Sequence, residues 1–287
     1  MDEIVRVVGK LRFPNKSPFL KKGKSTPLKN YNMKYNKMNQ KAQITIFIIL
    51  GLIIVVGMTL IFLLIRGPSV QVIDEENPQA YIDSCVKENV EEALDILMPR
   101  GGDITTNGGF IYKNIERKYL CYTSVNYDTC VNQEPLLVEH IQDEITNYIS
   151  SQVEACFQKL KSQLGKTYEI ELSEMDLTTR LQAKQVIVKI NREFKMTKGE
   201  SSRTIKEFKS VIIHPIYDLA KIAIEIASQE SKYCNFEILG FMMTYPQYSI
   251  DKFKTHDSNS VYTIREILSN KEFIFAVRSC PMPGGVY

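Results

Sequence analysis

Apolar and polar positions alternate along this chain in three distinct manners. From residue 43 to residue 65 there is no polar period at all: QITIFIILGLIIVVGMTLIFLLI carries no charge and no proline. At about 1.5 Å per residue such a helix reaches roughly 34 Å, enough for a hydrocarbon core about 30 Å thick. The expectation is a transmembrane helix over 43–65, ended by Gly67 and Pro68 and followed by a short linker over 66–76.

Beyond the linker the period is helical. Asn77-Pro78 has the form of a helix start, and Ile82, Cys85, Val86, Val90, Ala93, Leu94 and Leu97 recur by threes and fours until Pro99 and Gly101-Gly102, which predicts an amphipathic helix. A longer one is predicted from Glu134-Pro135 to Gly165 by Leu137, Ile141, Ile145, Tyr148, Ile149, Val153, Cys156, Leu160 and Leu164, with this stripe as the spine of the fold. Between the two, GGDITTNGG over 101–109 reads as a turn between strands.

From Lys166 the alternation shortens to two. Strands are expected around Tyr168, Ile170 and Leu172, over 177–181 and 186–190, and, after a polar loop over 197–203, over 204–212. Pro215 opens a short buried helix over 216–227, and 248–254, 261–267 and 273–278 form a meander. Both faces of the last strand are apolar, so it belongs inside a sheet. The fold class expected is α+β: one N-terminal transmembrane helix, then an extracytoplasmic domain of two long amphipathic helices and antiparallel sheet. The helical part covers 77–165, the mainly β part with one short helix 166–280, and 281–287 is a frayed tail.

Charge orients this picture. Residues 1–42 carry eleven Lys or Arg against Asp2 and Glu3, while the whole chain is only +3, so the rest is acidic. This basic, Asn-rich tail reads as disordered, and basic residues beside a span hold their side in the cytoplasm. The expected localisation is the cell membrane, single-pass, with the N-terminus cytoplasmic and the C-terminal domain extracytoplasmic. Met33 and Met38 are alternative starts to Met1.

All six cysteines follow the span. Confined to the oxidising side, Cys85, Cys121, Cys130, Cys156, Cys234 and Cys280 read as disulfides, against the alternative of buried free thiols. Spacing alone does not choose the pairing. Cys121 with Cys130 is the most local pair, Cys85 with Cys156 follows if the two helices pack together, and Cys234 with Cys280 ties the ends of the meander.

The segment Lys41-Ala42-Gln43-Ile44-Thr45-Ile46-Phe47 resembles the class III signal region of archaeal type IV pilin-like proteins. The resemblance implies peptidase processing between Ala42 and Gln43 and assembly of the apolar helix into a filament. Lys41, Ala42, Gln43 and Thr45 match it, whereas Phe47 stands where the pattern has a glutamate tied to assembly. The wider stretch, KAQITIFIILG with a later YIDSC, is similar over 41–280 to uncharacterised single-span membrane proteins of small-genome archaea, which implies no activity.

Catalytic motifs are absent: there is no H-E-x-x-H, G-x-S-x-G, C-x-x-C or dinucleotide fingerprint. His140 beside the long stripe lacks a second histidine at helical spacing and reads as a rim residue, and His214 as a capping or packing residue. No catalytic, metal or cofactor residue is assigned, and the acidic balance after the span argues against nucleic acid. The partners expected are the lipid bilayer through 43–65 and a protein partner or self-assembly through the span or ectodomain. The sequence thus points to a membrane-anchored cell-surface protein in a structural or binding role, with a pilin-like subunit and an extracytoplasmic enzyme as alternatives.

Overall fold

A computed structural model describes residues 40–65 and 77–282. The basic tail up to residue 39 with its alternative starts, the linker over 66–76 and the last residues of the tail, 283–287, lie outside the described residues. The chain divides into two units, 1–69 and 70–287.

The first unit contains α1, Gln40–Ile65. It begins three residues before the expected span, and it corrects that expectation: among the described residues no helix is long and apolar enough to cross a membrane. The described apolar side chains of α1 are exposed, Phe47 and Met58 to 67% each, and Thr59 Oγ1 returns its hydrogen bond to the carbonyls of Val55 and Val56.

The second unit is α+β. Helix α2, Pro78–Leu97, starts where the Asn77 side chain accepts a hydrogen bond from the Ala80 amide at 3.2 Å, satisfying one of the amides a helix start leaves unpaired. A 3-10 turn, Met98–Arg100, extends it and stops at Gly101 in the left-handed conformation. Helix α3, Leu137–Leu164, buries Leu137, Ile141, Ile145, Ile149, Val153, Phe157, Leu160 and Leu164.

Three sheets complete the unit. A small hairpin joins β1, Phe110–Tyr112, to β2, Ile115–Arg117. With β3 (Tyr119–Tyr122), β4 (Val131–Asn132), β9 (Tyr248–Lys254), β10 (Ser260–Glu266) and β11 (Glu272–Arg278), a five-stranded sheet runs in the order β4-β3-β11-β10-β9. Strand β11 lies at its centre and packs Phe273 and Phe275 into the core, as the two apolar faces of that strand require. The third sheet comprises β5 (Glu169–Leu172), β6 (Asp176–Gln182), β7 (Gln185–Lys198) and β8 (Ser201–Ile213), with β7 paired on both sides. The polar loop expected over 197–203 is mostly strand: Lys198 pairs with Ser201, leaving Gly199 at φ +59° and Glu200 to turn, a hairpin that glycine permits.

Helix α4, Ile216–Tyr233, outlasts its expected end, and α5, Ile238–Thr244, adds a helix that apolar periodicity did not reveal. One hydrophobic core joins residues of α2, α3, α4 and both larger sheets. Within it Phe157 on α3 meets Phe208 on β8 edge to face, with ring centroids 5.0 Å apart.

Candidate functional site

The six cysteines form three disulfides. Cys85 on α2 is bonded to Cys156 on α3, with Cα atoms 6.6 Å apart; Cys121 on β3 to Cys130 just before β4; and Cys234 at the end of α4 to Cys280 just after β11. These are the pairs singled out from helical packing, locality and the meander's ends, and no described cysteine is free. Such bonding is compatible with an extracellular, disulfide-stabilised domain. Ala42 and Gln43 lie in the helical backbone of α1.

A polar pocket of about 550 Å³ opens beside the start of α3. The two glycines that end the α2 extension position its Asp103. Gly101, at φ +78°, lets the chain pass so close to Lys118 that a Cβ would stand 2.9 Å from that residue's own Cβ, and Gly102, at φ +102°, packs directly on Leu137 and Ile141 of α3. Only glycine takes that path without strain. The next residue, Asp103, is thereby held against Lys118 and His140.

Four side chains meet there. Lys118 Nζ donates to Asp103 Oδ1 at 2.8 Å and to Glu134 Oε2 at 2.9 Å, and His140 Nε2 lies 2.6 Å from the same Asp103 oxygen and 3.1 Å from Lys118 Nζ. Burial pushes Asp103 upward, but hydrogen bonds from His140 and Lys118 outweigh it and hold the carboxyl below its ordinary range. Burial likewise presses Lys118 down, and Asp103 and Glu134 reverse this and raise it. The Asp103 hydrogen bond raises His140. All three shifts favour the charged forms. A catalytic lysine nucleophile needs the opposite direction, so this cluster suits a fixed electrostatic wall.

Strand β3, the β9–β10 turn and β11 form the opposite wall. Tyr119 donates its hydroxyl to Asn259 Oδ1 at 2.7 Å, and burial, then the neighbouring Tyr122, push its phenol up to about 12. The rings of Tyr119 and Tyr122 lie 4.9 Å apart, and the Arg278 guanidinium lies 6.0 Å from the Tyr122 centroid. Arg278 donates to the carbonyl of Thr123 at 2.6 Å. No carboxylate pairs with it among the described residues. Asn107 and Gln133 complete the lining with side-chain amides.

The chain matches no family model, no curated protein and no solved structure.

His140, expected at a rim of the long stripe, finds its partners in Asp103 and Glu134, brought from other segments. His214 lies before α4, buried, and its Nδ1 accepts the Ile216 amide at 3.2 Å. His256 sits in the β9–β10 turn. Among the described residues no group of three or more His, Cys, Asp or Glu side chains is placed to hold a metal ion. Where Asp103, Glu134 and His140 converge, Lys118 already supplies the cation. Lys118, Tyr119, Tyr122, Asn259 and Arg278 carried no motif. The one available signal was an acid inside a glycine-dense stretch, at Asp103.

Proposed function

We propose that this protein is a binding protein of the cell surface, in which a disulfide-stabilised extracytoplasmic domain holds a small anionic, hydroxyl-bearing ligand, an acidic saccharide by its chemistry. Residues 43–65 attach it by contact with lipid, and the exposed apolar side chains of α1 support that role. The volume of about 550 Å³ falls within the usual range of ligand pockets, roughly 300–1,000 Å³. The lining is unlike that of a pocket for an apolar molecule: amides, a tyrosine pair and charged groups dominate it.

The observation that carries this reading is Arg278. Its guanidinium is held in place by Thr123 and faces the pocket's tyrosines without a carboxylate of its own, which leaves a planar donor fork for a carboxylate on the ligand. Amide side chains and tyrosine hydroxyls offer both donors and acceptors to hydroxyl groups. Calorimetric titration of the full chain with glucuronate and with glucose tests it. Glucuronate is expected to bind at least about tenfold more tightly, and Arg278→Gln to remove that preference, since a charge-assisted hydrogen bond contributes about 1.5–3 kcal/mol. Equal binding of both sugars, or none of either, contradicts the proposal.

A further inference from the structure

Two arginines are buried in the folded unit, Arg192 and Arg117, and their surroundings differ. Arg192 donates through both terminal nitrogens to Glu154, at 2.5 and 3.2 Å, and lies 4.7 Å over the ring of Phe157. Arg117, only 3% exposed, donates through Nη1 to the carbonyl of Pro99. No carboxylate pairs with it among the described residues, and its Nε, like that of Arg192, is buried without a partner; what separates the two is the missing carboxylate.

Taking an unpaired guanidinium out of water costs several kcal/mol. The Pro99 carbonyl, at the C-terminal end of the helix that α2 begins, offsets part of this. Burial presses the Arg117 guanidinium toward its neutral form, Tyr112 opposes this, and the like charge of Arg100 adds to the burial; the net shift is downward. A buried cation left in this condition lacks a counter-charge.

Arg117 lines a cleft of about 220 Å³ that lies between the β1–β2 hairpin and the outer face of the five-stranded sheet. The hairpin rests on that face through Tyr112, whose ring lies 5.2 Å from Phe253. The cleft's charged lining is three cations, Lys113, Arg117 and Arg265, to two carboxylates, Asp251 and Glu272. Arg265 and Glu272 neutralise each other through a hydrogen bond of 2.7 Å. Lys113 is exposed at the hairpin turn, where Lys113 and Asn114 take positive φ.

We propose that this cleft is a second binding site, for a small oxyanion: a phosphate, sulfate or carboxylate group that accepts from the Arg117 fork, with Lys113 at the mouth. It is separate from the pocket of Tyr119 and Arg278 and does not depend on the reading given to that pocket. The anion supplies the charge that the fold withholds from Arg117, and two-point guanidinium recognition suits a planar or tetrahedral oxyanion.

The test is thermal unfolding of the full chain in sodium phosphate, sulfate or acetate, each matched in ionic strength with sodium chloride. Saturable stabilisation is expected from at least one of the three, about 4 °C at tenfold excess over Kd. Phosphate or sulfate acting alone identifies a phosphate- or sulfate-bearing ligand, and acetate alone identifies a carboxylate. Arg117→Met is expected to abolish the shift and Arg278→Gln to preserve it. If Arg117→Met does not fold, Lys113→Gln on the exposed rim is expected to raise the apparent Kd about threefold or more, as loss of a partly exposed charge contact of roughly 0.7 kcal/mol would. No saturable shift with any of the three anions overturns the proposal, as does a shift lost in Arg278→Gln but kept in Arg117→Met or, where that variant does not fold, unchanged in Lys113→Gln.

Discussion

His214 shows how a single buried group couples the fold to pH. It is 5% exposed, its Nδ1 accepts the Ile216 amide and its Nε2 has no partner. Burial, reinforced by Lys271, depresses its pKa to about 4, while Asp95 acts weakly the other way. Protonation therefore favours the unfolded chain, where the histidine titrates near its ordinary value of about 6.5. Its stabilising contribution is complete above about pH 6.5 and is lost as pH falls toward 4, on the order of 3 kcal/mol in all. His140, raised by Asp103, has the opposite sign: its contribution is present in acid and lost as pH rises through its folded pKa. Chemical denaturation at pH 6.5 and at pH 4 is expected to show that His214→Asn, which keeps an acceptor for the Ile216 amide, loses less stability than the parent chain. An equal loss in both would remove His214 as the cause.

At the scale of elements, the spacing of apolar residues in α3 was legible in the sequence, but its finer alignment was not. Cys156 was read as part of the buried stripe, whereas Phe157 takes the core position and Cys156 sits at its edge, turned toward Cys85. A stripe sampled every three or four residues leaves that one-residue choice open, and contact with Phe208 decides it. Strands β7 and β8 run further than the expected segments: Phe194 and Met196 continue the buried face of β7, and polar residues such as Thr197 and Ser202 stay paired beyond them. The bond between α2 and α3 closes a separation of 71 residues, for which loss of unfolded-state entropy corresponds to about 4 kcal/mol. The double variant Cys85→Ser, Cys156→Ser is expected to lose about that much unfolding free energy in chemical denaturation, about 2 kcal/mol more than Cys121→Ser, Cys130→Ser if loop length governs, since that pair is separated by only 9 residues. Equal losses for the two pairs would place the effect in native packing instead.

At the scale of the whole molecule, local pattern showed helices and strands, and the confinement of cysteines beyond residue 84 pointed to disulfides. The pocket was not legible in this way. Asp103, Lys118, Glu134, His140, Asn259 and Arg278 come from separate segments, and nothing in one stretch announces the others. The transmembrane expectation for 43–65 rests on the length of one uncharged apolar run, and among the described residues no helix is long and apolar enough to cross a membrane. What remains at this scale is a folded unit with one core and three covalent ties, proposed to work outside the cytoplasm. The most direct test is thiol accounting on the native protein, acid-quenched and alkylated before and after reduction, then read by intact mass. The account predicts no alkylation of the six cysteines before reduction and six additions after it. Alkylation of all six in the unreduced native protein would contradict it.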